Sequence, residues 1–120
     1  MTMTNDRPEL PLHFGYVFRL WSYQVSHRRL VLRGRADGED WDALEIVFLG
    51  VRGMKVQSDY RTLSIGYASS SLGEIDEFVE IPPRHNEKYL KLDLSDGNHG
   101  GYIVCGSFNI RKVFLHAQDE

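Results

Sequence analysis

The residues best suited to binding a metal ion are the histidines, but their spacing does not form a site. No two of the five are two positions apart, as on one face of a strand, or three to five positions apart, as in helical zinc sites. No pair of cysteines lies nearby either. The sequence therefore predicts no metal site and no cofactor. The histidines, interpreted as surface loop residues, are His13, His27, His85, His99 and His116.

Two acidic segments carry oxygen ligands that could suit calcium. One runs from Asp93 to Asn98 and the other from Asp37 to Asp40, each around a glycine. A calcium loop of the EF-hand type ends on a glutamate that binds through both oxygens, and neither segment has one at the required distance. Both are predicted to be turns, because Asp-Gly supplies the positive φ angle that tight hairpins require.

The candidate nucleophiles lack the neighbours that would activate them. Cys105 lies among apolar residues, where burial would keep the thiol protonated and inert. The serines at 69–71 have no GxSxG or SxxK context. The glycines from Gly97 to Gly106 match no phosphate-binding fingerprint and precede a predicted strand, not a helix. We therefore predict that the chain is not an enzyme, although paired loop carboxylates stay open as acid–base candidates.

The basic residues are concentrated in one segment. Arg28 follows His27. In the predicted strand that comes next, Arg29, Arg33 and Arg35 would lie on the same face. A cationic stripe of this kind can bind phosphates or acidic proteins. The solvated face of an edge strand has the same pattern, because charge there discourages aggregation. Both interpretations stay open.

The acidic residues form two groups in predicted loops. If these loops meet at one end of the fold, their carboxylates form a patch that steers and binds a basic protein partner. Ordinary solubilising loops are the alternative. The candidate partner-binding residues are Asp37, Glu39, Asp40, Asp42, Glu74, Asp76, Glu77 and Glu80.

Alternating apolar and polar residues indicate the strands that would carry these groups. Leu90, Leu92 and Leu94 alternate with polar residues, and similar runs recur along the chain. Turn signals come about every ten residues, which predicts a mainly β fold, an antiparallel sandwich or barrel of about seven to eight strands with at most one short helix. Residues 74–81 fit either a helix or a strand.

Two segments have apolar residues at both odd and even positions, so both faces of a strand there would be apolar. From Phe14 to Val25 this predicts a strand covered on both faces, or one with a bulge between Arg19 and Ser22. From Tyr102 to Leu115 it predicts one long strand, or two that break near Asn109.

Length and composition fit one small domain. The chain has 120 residues, 42% of them hydrophobic, and a net charge of -3, which gives no positive field for binding nucleic acid. No apolar run suits a membrane span, and no signal peptide pattern begins the chain. With a single cysteine, we expect a cytoplasmic protein. We predict a flexible arm over residues 1–11, a β domain over 12–117 and a frayed tail over 118–120.

Three stretches carry a resemblance to known proteins. They are residues 30–34, residues 44–51 with 54–56, and residues 100–110, which include the motifs FLGV and YIVCGS. This pattern is similar to small uncharacterised bacterial β-rich families, some of them grouped with the immunity proteins of polymorphic toxin systems. The resemblance implies a protein without catalytic activity that binds and neutralises a cognate toxin, often through an acidic surface.

Two functions follow from these observations. The first is a non-catalytic protein-binding module, with toxin neutralisation as its most specific form. The alternative is a small-molecule or carbohydrate-binding β domain whose cavity lies between sheets or at a barrel mouth. Homo-oligomerisation through an edge strand could accompany either. The aromatic residues that could line such a cavity are Tyr16, Trp21, Tyr23, Trp41, Tyr60 and Tyr67.

Overall fold

The computed structural model describes residues 8–35 and 40–114, which form ten strands, one α-helix and one 3-10 helix. The predicted tail lies outside these residues, as do the first seven residues of the predicted arm. The single α-helix, α1, spans Leu72–Phe78, and the 3-10 helix spans Pro83–Lys88. The strands are β1 (Leu12–Phe14), β2 (Phe18–Gln24), β3 (Arg29–Gly34), β4 (Ala43–Leu49), β5 (Gly53–Lys55), β6 (Asp59–Tyr60), β7 (Leu63–Tyr67), β8 (Leu90–Ser95), β9 (Gly100–Cys105) and β10 (Ser107–Val113).

The strands form two antiparallel sheets of five strands each, which pack as a sandwich and do not close into a barrel. Sheet A has the order β1-β7-β8-β9-β5, and sheet B has the order β10-β4-β3-β2-β6. The predicted mainly β fold is confirmed. The strand number is ten because β1, β5 and β6 are only two or three residues long, too short to show alternation.

The main core lies between the two sheets. Leu92 and Leu94 of β8 face it from sheet A, and Leu30 and Leu32 of β3 face it from sheet B, all of them buried. Because successive strand residues point to opposite faces, the predicted alternation places these side chains on one side. The rings of Phe48 and Phe108, stacked with centroids 5.8 Å apart, join β4 to β10 within the same core.

Helix α1 covers the outer face of sheet A. Its Ile75, together with Val79 at its end, packs against Tyr102 and Val104 of β9, so that β9 is buried on both faces. This explains why the sequence of β9 is apolar on both alternations. The segment that the sequence left open between helix and strand is therefore helical over Leu72–Phe78.

The chain passes from sheet A to sheet B at Gly106. The amide of Gly106 donates a hydrogen bond of 2.9 Å to the carbonyl oxygen of Leu49, next to Gly50, whose φ is +65°. The final apolar segment, predicted to be either one long strand or two, thus forms two strands, β9 and β10. The break lies at Gly106 and not near Asn109, because glycine accommodates the close approach of two chain segments.

Candidate functional site

The structure places the predicted acidic residues on different sheets. Asp40 and Asp42 directly precede β4 of sheet B, whereas the other group lies on α1 or just after it, against sheet A. Asp37 and Glu39 lie outside the described residues. The members of the second group, all exposed, are Glu74, Asp76, Glu77 and Glu80.

Lysines offset part of the negative charge on α1. Lys55 Nζ lies 3.1 Å from Glu74 Oε2, and Lys91 Nζ lies 3.2 Å from Asp76 Oδ1. Exposed pairs of this kind stabilise a fold little, but they lower the net charge that a partner meets. Two of the four carboxylates on α1 or just after it are therefore paired with a lysine.

The arginines, in contrast, converge on the outer face of sheet B. Arg19 of β2 lies directly opposite Arg33 of β3 in the strand register, and Arg35 follows the end of β3 on the same alternation. Like charges opposite each other on neighbouring strands repel, so this arrangement costs stability. Arg28 and Arg29 lie at the other end of β3, so the predicted stripe is divided along the strand.

A buried carboxylate holds the position of Arg33. The side chain of Glu45 is only 2% exposed, and Arg33 Nε donates a hydrogen bond of 2.7 Å to its Oε2. Arg111 Nε donates a second bond of 2.7 Å to Oε1. Because the carboxylate receives an arginine on each oxygen, Arg33, Glu45 and Arg111 form one fixed row across β3, β4 and β10.

The same row shifts the pKa of Glu45. Burial by itself raises that pKa, but the hydrogen bonds and positive charges of Arg33 and Arg111 outweigh it. The net effect is a pKa below the ordinary value of 4.5, so the carboxylate is ionised at neutral pH.

A β-bulge brings Trp21 onto this row. Leu20 pairs with Leu32 and Ser22 with Val31, so that Trp21 is an extra residue between two consecutive pairs of the register. The indole ring lies against Arg33, whose Cζ is 4.0 Å from the ring centroid, as in a cation–π contact. The bulge predicted between Arg19 and Ser22 is thereby confirmed. The contact of Trp21 with an arginine could not be predicted from the sequence.

The arginines and Trp21 surround a surface cleft of about 270 Å³, called here the arginine cleft. A second cleft of about 610 Å³ adjoins it and shares Val17, Arg19 and Arg35, adding Arg61 and the carboxylate of Asp59. Both clefts lie on the outside of the sandwich and not between its sheets. The arginine cleft is lined by Val17, Arg19, Trp21, Arg33, Arg35 and Ala43.

Exposed apolar side chains are concentrated along β2, and two of them, Val17 and Trp21, line this cleft. Ten large hydrophobic residues in the described part of the chain are exposed, and half of them lie on β2 or next to its ends. Along β2, strand β6 pairs only with Phe18 and Arg19, so no described strand covers the outer edge from Trp21 to Gln24. The five apolar residues are Val17, Leu20, Trp21, Tyr23 and Val25.

One histidine and one serine have the spacing of a catalytic pair. His13 Nδ1 lies 2.8 Å from Ser64 Oγ, and the pair is exposed between β1 and β7 of sheet A. Among residues 8–35 and 40–114, no carboxylate hydrogen-bonds to His13, and neither His13 nor Ser64 lines either of the two clefts described above. A carboxylate of this kind orients the histidine in a catalytic triad, and none of the described residues supplies one to His13.

Residues 8–35 and 40–114 contain no group of three or more histidine, cysteine or acidic side chains that could hold a metal ion, and Cys105 is buried. No helix there has the length and apolar character needed to cross a bilayer. Comparison of the chain with protein-family models, with curated proteins and with solved structures found no match.

Proposed function

We propose that this chain is a non-catalytic protein-binding domain whose binding surface lies along β2 of sheet B. The observation that carries the proposal is the concentration of exposed apolar side chains there, with Val25 78% exposed and Trp21 54% exposed. Contiguous apolar surface is costly in water, and its usual reason in a folded domain is a partner that covers it.

The composition of this surface suits a protein partner of negative charge. Tryptophan, tyrosine and arginine are the residues that contribute most often to the energy of protein interfaces. Trp21 lines the arginine cleft with Arg19, Arg33 and Arg35, and Tyr23 lies two residues further along β2. Among the described residues Glu45 is the sole carboxylate paired with these arginines. We therefore propose an acidic partner in place of the basic one expected from the acidic loops.

The open edge of β2 supplies a second means of binding. A partner segment can add to the uncovered stretch from Trp21 to Gln24 as a further strand, through backbone hydrogen bonds. Toxin neutralisation in the cytoplasm is the most specific form of this proposal, and it rests on the resemblance of the strand motifs. Pairing of two β2 edges would instead give a homodimer.

Photo-crosslinking from the turn after β2 tests the proposal. A photoreactive amino acid at position 25, on the most exposed residue of the surface, should capture an acidic protein in the cells that produce this chain. The matched control carries the same amino acid at Tyr67, which is also exposed but lies on sheet A. The captured protein is then purified, and its affinity for the uncrosslinked domain is measured directly.

Substitution of Trp21 is expected to weaken that complex about tenfold or more, because a central aromatic side chain usually contributes over 1 kcal/mol. Tyr67→Ala should leave the affinity unchanged. Equal capture from both positions would contradict the proposal, and so would capture of a second copy of this chain alone. Loss of binding in a Glu77→Gln, Glu80→Gln variant, with Trp21→Ala unaffected, would assign the partner to the acidic surface instead.

A further inference from the structure

We infer that the arginine cleft is a binding site for a small anion, namely a phosphate or carboxylate group attached to a flat apolar body. This goes beyond the proposed function, because such a ligand could bind whether or not a protein partner covers β2. The inference rests on the charge of the cleft, its apolar lining and the fixed position of Arg33.

The charge of the cleft is positive and largely uncompensated within the described residues. Three arginines line it, and none of the carboxylates within residues 8–35 and 40–114 does. Glu45, which is buried, neutralises only part of the positive charge of Arg33, because the same carboxylate also pairs with Arg111. Arg19 and Arg35 form no ion pair with a described residue, although Asp59 lies opposite Arg19 in the register. An anion would therefore relieve the repulsion between Arg19 and Arg33.

Guanidinium groups recognise oxyanions through their geometry as well as their charge. Each presents several N–H donors in a planar fork that matches a phosphate or a carboxylate. Glu45 occupies the Nε and one Nη of Arg33 and so fixes its plane. This leaves the rest of the guanidinium, together with Arg19 and Arg35, to donate to a ligand.

The remaining lining favours a flat apolar group next to the anion. Ala43, 1% exposed, lies at the base of the cleft, and Val17 and Trp21 form apolar parts of its wall. A volume of about 270 Å³ is small for a ligand pocket and suits a single ring rather than a larger molecule. An aromatic phosphate or carboxylate has this shape and charge.

Titration of the purified full chain with phenyl phosphate and with inorganic phosphate tests the inference. Phenyl phosphate should bind at one site with at least about tenfold higher affinity than inorganic phosphate, since the ring adds an apolar and aromatic contact. Quenching of tryptophan fluorescence should follow the same curve, and added salt should weaken binding.

Three variants and one matched control locate the site. Arg19→Gln and Arg35→Gln should each weaken phenyl phosphate binding about tenfold, because each removes charge-assisted hydrogen bonds. Trp21→Ala should reduce the preference for phenyl phosphate over inorganic phosphate. Arg84→Gln, an exposed arginine in the 3-10 helix, should change neither affinity. Thermal melts of all four variants show whether each is folded.

The inference is overturned if phenyl phosphate does not bind saturably, or if folded Arg19→Gln and Arg35→Gln bind it like the native chain. Equal affinities for phenyl phosphate and inorganic phosphate would also contradict the inference, because they would show that the flat apolar group of the ligand contributes nothing to binding. Because these titrations use the purified chain alone, they can fail while crosslinking from position 25 succeeds, and the converse also holds.

Discussion

Replacing Gly101 with alanine is expected to lower the free energy of unfolding by about 3 kcal/mol or more. Gly101 is buried in β9, and a Cβ atom there would overlap the backbone carbonyl oxygen of Lys55 in β5. A backbone atom cannot rotate away as a flexible side chain can, so the pairing of β5 with β9 must open. The urea midpoint of the purified variant measures the loss.

The neighbouring glycine provides a matched control for this substitution. A Cβ atom on Gly100 would lie 3.7 Å from the carbonyl oxygen of Leu94, an ordinary van der Waals contact, and Gly100 is exposed. Gly100→Ala should therefore keep the urea midpoint within a small margin of the native value. Equal midpoints for the two variants would show that β5 adapts without cost, contrary to the expectation.

Replacing Glu45 with glutamine is expected to cost about 2 to 3 kcal/mol at neutral pH. The amide has nearly the same shape but no charge, so Arg33 and Arg111 keep their positive charges without a counterion. Breaking a fully buried pair usually costs more, but Arg111 is half-exposed and can turn to water. Glu74→Gln, which removes an exposed pair with Lys55, should cost less than about 1 kcal/mol and serves as the control.

The pH dependence of stability gives a second measurement on Glu45. The pKa of its carboxyl is lower in the folded chain than the ordinary value of 4.5, so protons bind the unfolded chain more tightly. The stabilisation is therefore fully present above about pH 4.5 and is lost as the pH falls through the lower, folded pKa. The difference between the native chain and Glu45→Gln should shrink over that acidic range. A difference independent of pH would show that the carboxylate charge contributes nothing.

Much of the fold could be predicted because alternation is a local signal. Leu92 and Leu94 read directly as the inner face of a strand, and Asp96-Gly97 as the turn that follows it. The helical identity of the segment around Ile75 could not be predicted, since its apolar spacing fits two structures. Burial against Tyr102 and Val104 decides it, and those residues come more than twenty positions later in the chain.

The candidate site depends on contacts between distant parts of the chain, which the sequence does not reveal. Glu45 alternates with apolar neighbours and so reads as a solvent-facing residue of β4. It is buried because Arg33 and Arg111, which are 12 and 66 positions away, lie beside it. Arg19 and Arg33 lie in different predicted strands, and only the strand register shows that they are opposite each other. The sequence therefore indicated positive charge near β3 but not the cleft.

The bulge in β2 makes Trp21 an extra residue that has no pair in the register of β2 with β3. Because Leu20 and Ser22 pair with consecutive residues of β3, a chain without residue 21 could keep every one of these cross-strand pairs. The side chain at this position is thus free to vary, or to be lost, without moving the inward residues of β2 to the wrong face. The proposed recognition by Trp21 and the pairing of β2 with β3 therefore depend on different residues, so position 21 can change while the strand register stays the same.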